Sequence, residues 1–147
     1  MAKRSKERWA REPAADDYPA AGNFLRLLLA PEAVTAAVDE LRRGFMLHGR
    51  ANDLLRAANL PLLPVDDAEV AKDLKKVKRG ELLSPVLLVR GALATGRALT
   101  VADGYHRICA SYHLDEDADI PYLIADLRAH SAPAEEPNMT RTRVPLA

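Results

Sequence analysis

The sequence predicts an α+β fold, a small sheet with packed helices, preceded by a short N-terminal helical extension. Three observations carry this. Apolar residues recur at helical spacing in two stretches: Val34, Val38 and Leu41, then Val70, Leu74 and Val77. Val86-Leu87-Leu88-Val89 is apolar without polar alternation, the pattern of a central strand covered on both faces. Leu99 to His113 reads as a short strand, a tight turn at Asp103-Gly104 and a helix opening near Tyr105.

Composition narrows the class. The 147 residues suit one domain with additions, and 48% hydrophobic content supplies a core built from Leu, Val and Ala. Lys+Arg and Asp+Glu balance at 21 each, so net charge does not argue for nucleic acid or a membrane surface. Cys109 is the single cysteine, which excludes an intramolecular disulfide and a cysteine-based zinc site. No apolar run approaches the roughly 18 residues of a membrane span, and no signal-type apolar segment follows the charged start. A cytoplasmic protein with no membrane partner is expected.

Residues 1–18 are polar and carry Lys3, Arg4, Lys6, Arg8 and Arg11, which predicts a disordered basic arm. Residues 19–64 form the helical extension. Asn23 to Leu29 is a short helix or a strand, and periodicity does not choose. Pro31 opens a helix to about Arg43, with Gly44 at C′ and a buried stripe of Val34, Val38, Leu41 and Phe45. A second helix runs from about Arg50 to Ala58, burying Leu54 and Leu55. With only Arg50, Asn52 and Arg56 to offer a groove, it is a poor recognition helix, and both are expected to be packing elements. Leu60-Pro-Leu-Leu-Pro-Val suits an edge strand.

Residues 65–127 form the main domain. Asp66 starts a helix with Glu69 completing a capping box, and Gly80 ends it. Its outer face carries Lys72, Lys75, Lys76 and Arg79, the spacing of a solvated face. The central strand follows, then a hairpin-style loop from Arg90 to Ala98 with Gly91 and Gly96. After the turn and its helix comes an acidic loop with Asp115, Glu116, Asp117 and Asp119, and a last strand from Ile120 to Ala125. Residues 128–147, rich in proline and without period, are expected to be a disordered tail.

The turn carries the chemistry. A strand entering a helix through glycine leaves the first helical N–H groups without partners, where the macrodipole favours an anion. His106 and Arg107 stand in that first turn, and a guanidinium fork suits phosphate oxygens. The structural alternative is that Asp103 caps the helix and Arg107 pairs with a carboxylate such as Asp115 or Glu116. Tyr105, Ile108, Cys109 and Tyr112 make the apolar stripe of this helix, so Cys109 is expected in the core. Ser111, four residues after Arg107, lies where it would support the arginine, although a helix-surface serine usually has no specific role.

These features together resemble the ParB/sulfiredoxin superfamily, in its Asp-Gly-x-His-Arg form. The matching residues are the Asp-Ala-Glu-Val helix, Leu-Ser-Pro-Val-Leu-Leu-Val, Asp103-Gly104-Tyr105-His106-Arg107 and the Ile120-Pro121-Tyr122-Leu123-Ile124 strand. The resemblance covers less than half the chain and implies a small mixed sheet. It also implies that Gly104, His106 and Arg107 hold nucleotide phosphates, aided by Lys72 and Lys76 on the preceding helix. The ligand would be a nucleoside triphosphate or diphosphate with Mg²⁺, or another phosphorylated small molecule. Some relatives are small-molecule kinases, which makes Asp103 and Glu69 the candidate catalytic carboxylates for phosphotransfer or NTP hydrolysis.

Departures limit the comparison. Sulfiredoxins place a catalytic cysteine where this chain has Tyr105, so sulfinic-acid reduction is not expected. Partition-type ParB proteins add an arginine-rich box and a DNA-binding helical domain that is not found after Leu127, so a DNA clamp is not expected. A metal held by the protein alone is not expected either. His106 and His113 are two turns apart, about 10 Å, and a Mg²⁺ arriving with nucleotide would need one carboxylate such as Asp103. His48 has no assigned role. The competing expectation is a non-enzymatic interaction or DNA-associated accessory module with a structural turn, nucleic acid being the less favoured partner.

Overall fold

The computed structural model describes residues 7–127. It is mixed α+β, as expected: helices pack on both sides of a four-stranded sheet. The strands are β2 (Leu47–Arg50), β4 (Val86–Val89), β5 (Thr100–Asp103) and β6 (Asp119–Ala125), in the order β2-β6-β4-β5. β6 runs antiparallel to β2 and parallel to β4, and β4 runs antiparallel to β5, so the sheet is mixed.

Both faces are covered. On one lie α3 (Ala51–Ala58), α4 (Ala68–Lys78) and α5 (Tyr105–Leu114), packing Leu54, Val70 and Ile108 on Val86, Leu88 and Ile120. On the other lie α1 (Asp17–Leu25) and α2 (Pro31–Arg43), packing Leu25, Val34 and Leu41 on Leu87, Val89 and Leu123. β4 therefore sends alternate side chains into two separate cores. All four of its residues are buried, which is why its sequence shows no polar alternation. Each large apolar side chain so buried contributes about 1.5–3 kcal/mol. Among the described residues, no helix is long and apolar enough to cross a membrane.

Several expectations need correction. The arm is ordered from residue 7: β1 (Arg8–Trp9) pairs in parallel with β3 (Leu82–Leu83), and Trp9 packs against the core. The first helix begins at Asp17 and is fixed to α2 by Arg42, whose guanidinium carbon stands 4.4 Å from the Tyr18 ring centroid. Residues 1–6 and the expected tail at 128–147 lie outside the described residues.

Phe45 is not part of the α2 stripe and is 86% exposed. α2 stops at Arg43 and Gly44 is extended (φ −75°, ψ 170°) rather than left-handed, so Phe45 leaves the helical period and fully buried Ala37 completes the stripe. Leu60 to Val65 forms no strand. The N-cap of α4 is Asp67, one residue later than expected, its carboxylate accepting from the N–H groups of Glu69 and Val70 at 3.1 Å. Between α2 and α3 stands β2, which removes the helix-turn-helix geometry.

Candidate functional site: the opening of α5

The site begins with a steric requirement. Gly104 adopts φ +115°, and a Cβ there would lie 2.4 Å from Cγ1 of Val86. The turn thus rests directly on the central strand, and only glycine fits. Leu87 pairs with Asp103 and Leu88 with Val101, leaving Ala102 as an extra residue on β5. Such a bulge re-aims the residues beside it. Asp103 does not cap α5. Gly104 is the N-cap and no side chain closes the first turn.

Arg107 turns back toward the strand it follows. Its Nη2 donates to Oδ2 of Asp103 at 2.8 Å and to the carbonyl of Pro85 at 3.3 Å. The pair is largely buried, with side chains 16% and 19% exposed, and the Arg107 Nε–H is buried without a partner. Burial pushes the Asp103 carboxyl above the usual carboxylate range, an effect that the Arg107 hydrogen bond and charge only partly offset. Asp115 and Glu116 are not partners of Arg107; Glu116 accepts from Tyr112 Oη at 3.2 Å.

The facing wall is α4. Asp73 is half-buried, and desolvation raises its pKa despite the opposing fields of Arg107, Lys76 and His106. His106 Nε2 lies 3.9 Å from Oδ2 of Asp67, the α4 cap. Arg107, Lys76, His106 and Glu69 are near enough to Asp73 for their charges to act on it. On α4, Lys72 and Glu69 lie 3.9 Å from each other and are 66% and 57% exposed. Asp103 is committed to Arg107, so of the two candidate carboxylates one is braced inside the turn and the other stands in solvent.

The segment before α4 is fastened over the far side of α5. Tyr105 Oη donates to the Pro61 carbonyl at 2.6 Å, and His113 Nε2 donates to the Leu63 carbonyl at 2.7 Å. Cys109 is fully buried beneath, and burial pushes its thiol up. Ser111, expected on the helix surface, is fully buried with an unpartnered Oγ. Among the described residues, no group of three or more His, Cys, Asp or Glu side chains is placed to hold a metal.

Sequence reasoning missed Asp73 and Asp67. A signal for Asp73 exists: it stands three residues after Val70 and four before Val77, on the stripe that faces the core. A carboxylate there must be half-buried and must meet whatever α5 presents. Chemically, the arrangement offers an uncapped helix start with His106 and Arg107 in its first turn, Lys76 on the facing helix and a carboxylate whose pKa is raised.

The chain matches no protein-family model. No curated protein and no solved structure matches it either.

Proposed function

We propose that the opening of α5 binds the phosphate group of a nucleotide or of another phosphorylated small molecule. The observation that carries this reading is the uncapped start of α5, held by Gly104 against Val86, with His106 in its first turn and Lys76 on the facing helix α4. The first-turn N–H groups would take phosphate oxygens, with His106 and Lys76 neutralising charge and Lys72 acting from further out. Arg107 contributes by fixing the turn through Asp103. Mg²⁺ would enter with the nucleotide. For NTP hydrolysis or phosphotransfer, Asp73 is better placed to accept a proton than Asp103, which is tied to Arg107, or Glu69, which stands in solvent.

The test is thermal stability with ATP, ADP and CTP, each with and without Mg²⁺. A nucleotide at 100 times its Kd stabilises the native state by about 2.7 kcal/mol. His106→Ala and Lys76→Ala should each reduce that shift while leaving the unliganded protein intact. Absence of a shift with every nucleotide, and with inorganic phosphate and pyrophosphate, overturns the reading.

The Asp103–Arg107 pair favours a second reading. Because Arg107 Nη2 is bonded to Asp103 and to the Pro85 carbonyl, the turn also works as a structural brace in a non-enzymatic interaction module. That reading expects stability to depend on Arg107 and no nucleotide to bind.

A further inference from the structure

A cavity of about 580 Å³ lies between α3, the sheet and the β4–β5 hairpin, apart from the opening of α5. Its floor is apolar: Leu54 of α3, Leu88 of β4, Tyr122 and Ile124 of β6, and Leu99 at the foot of β5. Gly49 of β2 keeps one wall open, because a Cβ there would stand 3.3 Å from the Tyr122 ring and 3.5 Å from Leu54. The size falls within the range of small-molecule pockets, about 300–1,000 Å³.

The hairpin wall is preformed. Ala92 and Arg97 exchange backbone hydrogen bonds of 2.9 and 3.0 Å, Arg90 N–H donates to the Ala125 carbonyl at 2.9 Å, and Leu99 N–H donates to the Ala57 carbonyl at 3.0 Å. A Cβ on Gly91 would lie 2.5 Å from the Arg97 carbonyl oxygen, so the two arms of the hairpin meet at backbone contact.

Arg90 and Arg97 stand on this hairpin at the rim, both exposed and without an ion pair among the described residues. The carboxylate on the cavity wall, Asp53, is held by Arg50 Nε and Arg56 Nη1, each at 3.2 Å. The rim therefore carries two arginines over an apolar floor, both of which also border an adjoining cavity lined by Asp126. We propose that this cavity binds a medium-chain carboxylate, its alkyl body on the floor and its carboxylate between Arg90 and Arg97.

Calorimetric titration of the full chain with dodecanoate, below its micelle concentration, tests this, with dodecanol as the uncharged comparison. One dodecanoate per chain should bind, about tenfold or more tighter than dodecanol. The double variant Arg90→Ala/Arg97→Ala should weaken dodecanoate about tenfold and leave dodecanol unchanged. Ala57→Phe, at an exposed α3 position on the cavity wall, should block both while leaving the melting temperature near wild type. Equal affinity for acid and alcohol, an unaffected double variant, undiminished binding to Ala57→Phe or no binding at all would each overturn the proposal.

Discussion

Arg107 reaches back one helical turn to Asp103, Nη2 to Oδ2 2.8 Å, and ties the first turn of α5 to the end of β5. The same guanidinium holds the Pro85 carbonyl, just ahead of β4. One side chain thus joins a helix to the approaches of two strands. Arg107→Ala leaves a largely buried carboxylate and a carbonyl without their donor and should cost about 2–3 kcal/mol in urea denaturation. Arg107→Lys should recover part of that, since an ammonium cannot reproduce the planar fork. An Arg107→Ala protein as stable as wild type would remove the brace.

Asp73 gives the fold a pH dependence of known sign. Burial holds its carboxyl above the ordinary 3.8, with attraction from Arg107, Lys76 and His106 and repulsion from Glu69 in smaller roles. The native state keeps this proton to higher pH than the unfolded chain. Its contribution to stability is full below 3.8 and is lost as pH rises through the native pKa. Asp73→Asn does not ionise, so its stability relative to wild type should rise across that window and then level off. A difference that stays flat from about pH 3 to about pH 7 would refute this.

Two glycines at positive φ separate strain from collision. Gly96, at φ +77°, has nothing within 4 Å of a built Cβ, so Gly96→Ala should cost about 1 kcal/mol. Gly104→Ala adds the overlap with Val86 and should cost about 3 kcal/mol or more, or prevent folding. Thermal melts of both variants decide it, and equal losses would contradict the placement of the turn on β4.

Cys109 should behave as a core residue. It is fully buried and its thiol is pushed up, so little thiolate forms. Cys109→Ala should cost about 1–2 kcal/mol and leave any nucleotide response intact. A thiol reagent should label native protein only as fast as it opens; rapid labelling would place the sulfur at the surface.

What the sequence made legible follows from the range of the signal. α2, α4, β4 and the strand–turn–helix at Gly104 are written in local periodicity and turn chemistry, and each stands close to its expected span. β2 is not, because Leu47-His48-Gly49-Arg50 has no alternation and is a strand only by virtue of β6, with His48 hydrogen-bonded to Asp119 across 71 residues. β1 is ordered for a similar reason: two residues of an otherwise polar stretch find β3 far along the chain. In the site, Gly104, His106 and Arg107 were readable from the motif. The partner of Arg107 was not, since choosing among Asp103, Asp115 and Glu116 requires knowing which way the guanidinium turns.

The place of β6 in the sheet has a consequence for assembly. β2 and β4 share no ladder; each pairs with β6, the last strand among the described residues. Without Asp119–Ala125, β4 and β5 form at most a hairpin whose β4 edge is bare, and β2 has no partner in the sheet. Closure of the sheet is therefore a late, long-range event, and a chain awaiting it presents two open edges to its neighbours. Conditions that delay this last strand should favour aggregation over folding, whatever the final native stability.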